Sequence, residues 1–354
     1  MLINSSLDNL NILNSIDKSS MLENLEKYPE HCLHAIQLAE SINLEKLNIK
    51  NYSSIAFLGM GGSAIGGQLI SDWLHEESQI PIIVNRGYNL PGFISKNTLV
   101  FAVSYSGNTE ETLSAFKKAC EIGCDIVVIT SGGKLETKAL ERSITCIKIP
   151  GGRQPREGIP YQFFIPATIL KRLGLVTDSW NQIYQTIHLM QEIKDEYKTD
   201  TGIEKNRAKQ LAIQVNDTVP FVYGPIFCEG VSYRFTTQLN ENSKIPATSG
   251  VFPEAFHNSI MASEGSEHVL EPLSFIIIRD PTGEEKISEK IDSFIQIIQE
   301  KVKLLIQLET RGSCKLERMF SIIYLADFVS TYLGILNRHD PGTTDSINRL
   351  KKGF

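Results

Sequence analysis

Three hydroxyls, Ser104, Ser106 and Thr109, fall within one short run, Val103-Ser-Tyr-Ser-Gly-Asn-Thr-Glu-Glu-Thr-Leu113. Hydroxyls and amides gathered this closely bind anionic oxygen, and a phosphate group is the natural ligand. Ahead of them lies Thr98-Leu-Val-Phe-Ala-Val103, short and rich in branched and aromatic residues, which predicts a buried strand. Behind them Leu113, Phe116 and Ala119 recur at helical spacing, with Glu110 and Glu111 in the first turn. The loop therefore joins the carboxyl end of a strand to the amino end of a helix, where free amides and the helix dipole favour an anion. Gly107 gives the backbone the freedom to turn its amides outward. Taken alone the loop reads equally as a hydroxyl-rich helix cap; its surroundings favour a phosphate cradle.

The first of those surroundings is a second loop of the same kind. Ser54-Ile-Ala-Phe-Leu58 predicts a strand running into Gly59-Met-Gly-Gly-Ser-Ala-Ile-Gly66, which places Gly62 and Ser63 at the start of another helix. This stretch also satisfies the loose dinucleotide pattern G-x-G-x-x-A. That reading asks for an acid after the next strand, to hold a ribose hydroxyl. Here Asn85-Arg86-Gly87 follows instead. An arginine tolerates a ribose phosphate, so an NADP-binding oxidoreductase stands as an alternative. A dinucleotide fold has no need of the second hydroxyl cluster, which argues against it.

Proton chemistry has its own candidates. Glu241 lies between two asparagines in Gln238-Leu-Asn-Glu-Asn-Ser-Lys244, and asparagine is a poor helix former. A half-buried carboxylate can take a proton and return it, although a single glutamate is more often a solvated helix-end residue. Arg156 lies in the Pro/Gly segment Pro150-Gly-Gly-Arg-Gln-Pro-Arg-Glu-Gly-Ile-Pro160, with Arg153 as a competitor. Its permanent charge suits a developing oxyanion. His257, in Pro253-Glu-Ala-Phe-His-Asn258 at a predicted helix entrance, can exchange a proton near neutrality. Lys351 reads on composition as one of several solvated lysines in a basic tail.

The elements that must position these residues form a repeating pattern. Apolar runs at 54–58, 80–84, 99–103, 126–130 and 144–149 alternate with helical patterns, which predicts a parallel sheet covered on both faces. Ligands bind such sheets at the carboxyl ends of the strands, where both glycine- and hydroxyl-bearing loops fall. A second alternation follows, with strands at 219–223, 273–278 and 304–308, a Gly224-Pro225 turn, and helices near 229–239, 284–299 and 316–336. The division predicted is a helical arm over 1–47 that packs on the first domain, then a first α/β domain over 48–160. Connecting helices at 161–215, broken near 198–201, lead to a second α/β domain over 216–354 that ends in a helix at 345–352. In the arm, Ser19-Ser20 reads as the cap of a helix bearing Met21, Leu22 and Leu25, and Pro29 as the start of the next.

Composition bounds the rest. A chain of 354 residues favours two domains, and 42% hydrophobic with 21% charged residues fits a soluble globular protein. A net charge of −6 argues against a nucleic-acid partner. No run reaches the roughly 20 apolar residues of a membrane span, and the start shows no leader pattern. Six dispersed cysteines read as reduced cytosolic thiols, so a cytoplasmic protein is expected. The pairs Cys120/Cys124 and His31/His34 lack a second pair at zinc spacing, so no metal is expected.

Taken together, Gly59-Met-Gly-Gly-Ser63 and Ser104-Tyr-Ser-Gly-Asn-Thr109 resemble the sugar isomerase (SIS) domain. Further stretches resemble the bifunctional phosphoglucose/phosphomannose isomerase family. They are residues 21–39, Gln154-Pro155-Arg156, residues 238–244 with 254–258, and Ile347-Asn-Arg-Leu-Lys351. The resemblance implies two flavodoxin-like SIS domains and a homodimer. It also implies a cofactor-free aldose–ketose isomerase acting on a hexose 6-phosphate, glucose or mannose, with fructose 6-phosphate as the ketose. It assigns the phosphate to Gly62, Ser63, Ser104, Ser106 and Thr109, the catalytic base to Glu241 and charge stabilisation to Arg156. Ring opening falls to Lys351 and to a His257 contributed by the neighbouring subunit. Ser243, Phe256 and a missing second proline in Asp340-Pro-Gly-Thr-Thr-Asp345 depart from the family pattern, and Lys352 competes with Lys351. Which hexose fits would depend on the room near Thr343 or Thr344. A phosphosugar sensor without chemistry is the second class; it would keep the serine loops but have no use for Glu241, Arg156 and His257 together.

Overall fold

Continuous apolar runs buried on both faces become parallel strands, because only helices on either side can cover them. The computed structural model describes residues 4–45, 47, 52–176 and 180–352. The chain divides into two compact units, Lys27–Asn181 and the described part of Met1–Glu26 with Gln182–Phe354. The boundary expected after Leu47 falls on residues outside those described.

In the unit Lys27–Asn181 the strands are β1 (Ser54–Leu58), β2 (Ile82–Asn85), β3 (Thr98–Val103), β4 (Asp125–Thr130) and β5 (Thr145–Lys148). They lie in the order β2-β1-β3-β4-β5, all parallel, which is the flavodoxin-like order. Every residue of β1 and β3 is buried, so both read as unbroken apolar runs. Val100, Ala102, Val128 and Phe116 form the core on one face, and Phe57 stacks on Phe101 at 4.9 Å. Helices Gly62–Trp73 and Glu110–Ile122 follow β1 and β3. The crevice at the β1/β3 switch point therefore opens at the two loops singled out above. Helix Tyr28–Glu40 packs on helix Ile159–Arg172 within the same unit.

The other unit holds β6 (Val219–Pro225), β7 (Thr248–Phe252), β8 (Leu273–Arg279) and β9 (Leu304–Glu309), parallel in the order β7-β6-β8-β9. Gly224-Pro225, expected as a turn, instead extends β6 as far as its pairing with Phe252. Strand β7 adds to the expected set: Thr248-Ser-Gly-Val-Phe252 is an edge strand with a weak apolar signal. The helical stretch expected from 161 to 212 resolves into Ile159–Arg172, Trp180–Tyr197 and Arg207–Val215. Its break at 198–201 is present, and a further one begins at Gly174, whose φ is +72°.

Three further readings are corrected. Helix Met21–Glu26 is not capped by Ser19-Ser20; the Asp17 carboxylate accepts from the amides of Met21 (2.9 Å) and Leu22 (2.8 Å). Helix Lys315–Leu336 does have the length and apolar character of a membrane span, contrary to expectation, yet its 18-residue apolar window is 100% buried inside the unit. A helix that is apolar all round belongs in a core. Its polar groups find partners there: Asp327 pairs with Arg234 at 2.7 Å, and the hydroxyl of Tyr324 donates to the Leu25 carbonyl at 2.7 Å. The arm residues up to Glu26 thus pack against this helix rather than on the first domain.

Candidate functional site

The unit Lys27–Asn181 brings together all six of its predicted site residues. Ser104 and Thr109 share a hydrogen bond of 3.1 Å between their hydroxyls. Ser63 Oγ accepts from the Tyr105 amide at 3.1 Å, which leaves its own proton to donate to a ligand. Ser106 Oγ accepts from the Asn108 amide at 3.3 Å, and Ser106 is exposed at the rim. Thr109 takes the N-cap position of helix Glu110–Ile122 without its side chain bonding the helix amides. Gly61, with φ +49°, does the same for helix Gly62–Trp73. Two helix amino termini and the hydroxyls of Ser63, Ser106 and Thr109 thus gather at one crevice, with the fully buried Ser104 hydroxyl behind Thr109, which is the chemistry of an anion site.

Arg156 joins them because Gly62 lets it. A Cβ on Gly62 would lie 2.7 Å from the Arg156 amide nitrogen and 2.9 Å from its Cα. Only a residue without a side chain permits this approach. Arg156 is 1% exposed, whereas its competitor Arg153 is half-buried. Its turn, Pro155–Gly158, is fixed by the Glu157 carboxylate accepting from the Gln154 amide (2.7 Å) and by Gln162 Nε2 donating to the Pro155 carbonyl (2.9 Å).

The second unit builds around Glu241. Residues Leu239–Ser243 form a π-turn that continues helix Glu229–Gln238, a distortion common at functional sites. The flanking polar residues explain how it is held. Asn242 Nδ2 donates to Ser330 Oγ at 3.0 Å, Ser243 Oγ donates to the Ser330 carbonyl at 2.8 Å, and Asn240 Oδ1 accepts from the Ala247 amide at 2.9 Å. Ser243, a departure from the family pattern, is therefore satisfied rather than stranded. Lys244 Nζ donates to the carbonyls of Glu241 and of Thr343, the latter at 2.8 Å. Glu241 is half-buried and lines a cleft of about 530 Å³ together with His339, Thr343, Thr344, Asp345 and Ile347. The two threonines expected near the sugar do face the same space as the carboxylate.

His257 and Lys351 do not line that cleft. The helix expected at Pro253 is a single turn, Glu254–Phe256, which leaves His257 exposed at its end. Phe256 turns inward and stacks on Phe252 at 4.8 Å. Lys351 is exposed on helix Asp345–Lys352, whose first residues border the cleft. The side chain of Lys352 lies outside the described residues.

Sequence reasoning passes over three contributors: Tyr105, the loop 130–133 against which the Ser104 loop rests, and Lys244. Their signals are present as motif neighbours, but each acts through main-chain contacts that spacing does not reveal.

The histidines set aside as a zinc pair flank the Tyr161 hydroxyl, with His34 Nδ1 at 3.2 Å and His31 Nδ1 at 3.5 Å. Burial, and next the charge of Arg153, push the His31 imidazole from 6.5 down to about 4; Glu30 opposes this. The unfolded chain then binds more protons than the folded one between those values. Stability from this group is complete above about pH 6.5 and is lost as pH falls toward 4. The substitution His31→Phe should flatten the pH dependence of the melting temperature across that window, measured by thermal melts at half-unit steps. An unchanged slope would assign the pH dependence to other groups.

Residues 48–150 match the SIS domain family, and residues 204–353 match the family described as bacterial phospho-glucose isomerase C-terminal SIS domain. The chain is 36% identical over 332 residues to the bifunctional phosphoglucose/phosphomannose isomerase of Caldicellulosiruptor bescii, covering 94% of this chain and 98% of that one. It is 32% identical over 302 residues to the protein of the same name from Aquifex aeolicus, covering 85% and 90%. Among solved structures, a hypothetical protein of Thermus thermophilus aligns with a TM-score of 0.76 over 99% of this chain and 93% of that one. At 14% identity that likeness is one of fold.

Proposed function

The chain belongs to the bifunctional phosphoglucose/phosphomannose isomerase family, and we propose that Glu241 carries the proton in its interconversion of glucose and mannose 6-phosphates with fructose 6-phosphate. The enzyme is a sugar-phosphate isomerase. In the aldose-to-ketose direction Glu241 takes the proton from C2 of the open-chain sugar. The C–H electron pair becomes the C1–C2 double bond, and the carbonyl oxygen on C1 gains the negative charge. The O2 proton then passes to O1 while Glu241 returns its proton to C1, leaving a ketone at C2. Arg156 stabilises the oxyanion, because a guanidinium stays protonated throughout. Gly62, Ser63, Ser104, Ser106 and Thr109 hold the phosphate.

The observation that best supports this reading is the clustering of the Ser63, Ser104 and Thr109 hydroxyls, with Arg156 drawn against Gly62, at the switch point of one sheet. His257 and Lys351 open the sugar ring. We assign the histidine to the partner copy of a homodimer, in keeping with its exposure and with a cleft lining that does not include it. The reaction needs no cofactor, and the six free cysteines suit a reducing cytosol.

A coupled assay tests the proposal directly. Fructose 6-phosphate in the presence of a chelator should yield glucose 6-phosphate, and mannose 6-phosphate should yield fructose 6-phosphate, both without nucleotide. Tight phosphosugar binding with no turnover of either sugar would mark a sensor and overturn the enzymatic roles given to Glu241 and Arg156.

A further inference from the structure

Tyr105 stands between the hydroxyls of the phosphate loop and takes on neither of the roles above, yet it bonds to three other segments around this crevice. Its amide donates to Ser63 Oγ at 3.1 Å, in the first turn of helix Gly62–Trp73 that follows β1. Its carbonyl accepts from the Ser131 amide at 3.0 Å and from Ser131 Oγ at 2.6 Å, in the loop after β4. Its side chain, 6% exposed, runs to the segment after β5. There the phenol donates to the Pro150 carbonyl at 3.0 Å and accepts from the Arg153 amide at 3.1 Å. Its ring also packs beside Gly158, where an added Cβ would lie 3.3 Å from Tyr105 Cδ2.

We infer that Tyr105 is a positioning residue for Arg156, fixing the guanidinium relative to the phosphate grip. This rests on the role given above to Arg156. The segment 150–153 is rich in proline and glycine, and Gly151 and Gly152 are exposed, so its own composition does not hold it in place. The second half of the stretch is secured by Gln162 at Pro155 and by Glu157 at Gln154. The first half is tied by the phenol of Tyr105, which uses both its donor and its acceptor on main-chain partners. A residue that belongs to the phosphate loop therefore also sets the approach of Arg156. Seating the phosphate and presenting the positive charge share one reference point, which is how binding energy remote from the reacting carbons becomes orientation. A phenylalanine fills the same space and keeps every main-chain contact but loses both ties.

The test uses the full chain and the variants Tyr105→Phe, Arg156→Lys, Arg156→Ala and the double variant Tyr105→Phe with Arg156→Lys. For Tyr105→Phe, kcat should fall about tenfold or more while KM for fructose 6-phosphate stays within about threefold, since the phosphate hydroxyls are untouched. Hydrogen exchange should quicken at the amides of 150–157 and stay unchanged in β1, β3 and β4. In the Arg156→Lys background the further loss should shrink to about threefold or less, because the two changes act on one group. Unchanged exchange at 150–157 would overturn the tie itself. A full multiplicative loss in the double variant, or a raised KM at unchanged kcat, would overturn the route through Arg156. Wild-type turnover in Arg156→Lys and Arg156→Ala would instead overturn the role of Arg156, whatever Tyr105→Phe does.

Discussion

Replacing Glu241 with glutamine should lower kcat by about 10²–10⁴-fold, the range of a lost acid–base group, with phosphosugar affinity retained. Glutamine keeps the shape of the side chain but cannot accept and return a proton. The π-turn that presents it should persist, because it is held by Asn242 and Ser243 on Ser330 and by Lys244 on the Glu241 and Thr343 carbonyls. The change leaves intact Ser63, Ser104, Ser106 and Thr109, the residues proposed to hold the phosphate. Binding of fructose 6-phosphate by calorimetry and turnover by the coupled assay separate the two effects. Exchange of the sugar's C1 and C2 hydrogens with deuterated solvent gives a second reading, and it should fall in step with turnover. A variant that isomerises within tenfold of the wild type would remove Glu241 from the reaction.

What the sequence makes legible, and what it hides, follows from the range of the interactions involved. Strands β1 and β3 are plain because burial on both faces leaves a continuous apolar run. The loops after them are plain because glycine and hydroxyl residues cluster locally. The π-turn is half legible: asparagines at 240 and 242 break the helical pattern, but their meaning depends on Ala247 and on Ser330, 88 residues from Asn242. The cap at Asp17 escapes notice since serine at the expected position is the commoner signal, whereas the carboxylate reaches forward to two amides at once. The helix Lys315–Leu336 resembles a membrane span in composition because a core helix surrounded by other elements faces the same demand for apolar surface. Tyr105 hides in the middle of its own motif, since an aromatic residue between serines reads as packing until its hydroxyl is seen on Pro150 and Arg153.

The substitution with the largest structural effect should be Gly107→Ala. Gly107 has φ +66°, a conformation that costs an alanine about 1–2 kcal/mol. Its Cβ would also stand 1.7 Å from the Gly132 carbonyl oxygen and 2.9 Å from Thr130 Oγ1. Relief of that overlap must separate a pair of loops that are bonded to each other, with the Leu135 amide on the Gly107 carbonyl at 2.9 Å and the Lys134 amide on Asn108 Oδ1 at 3.1 Å. Such overpacking costs about 1–3 kcal/mol more. Ser106 and Thr109 ride on the displaced loop, so KM for fructose 6-phosphate should rise at least about tenfold, with a lowered melting temperature for the same protein. Gly123→Ala is the control: Gly123 has φ +83° and an open space where its Cβ would go, so it bears only the backbone cost. Thermal melts and steady-state kinetics on both variants separate the two contributions. If Gly107→Ala behaves like Gly123→Ala in both, the loops do not interlock and the Ser104 loop owes its shape to its own backbone alone.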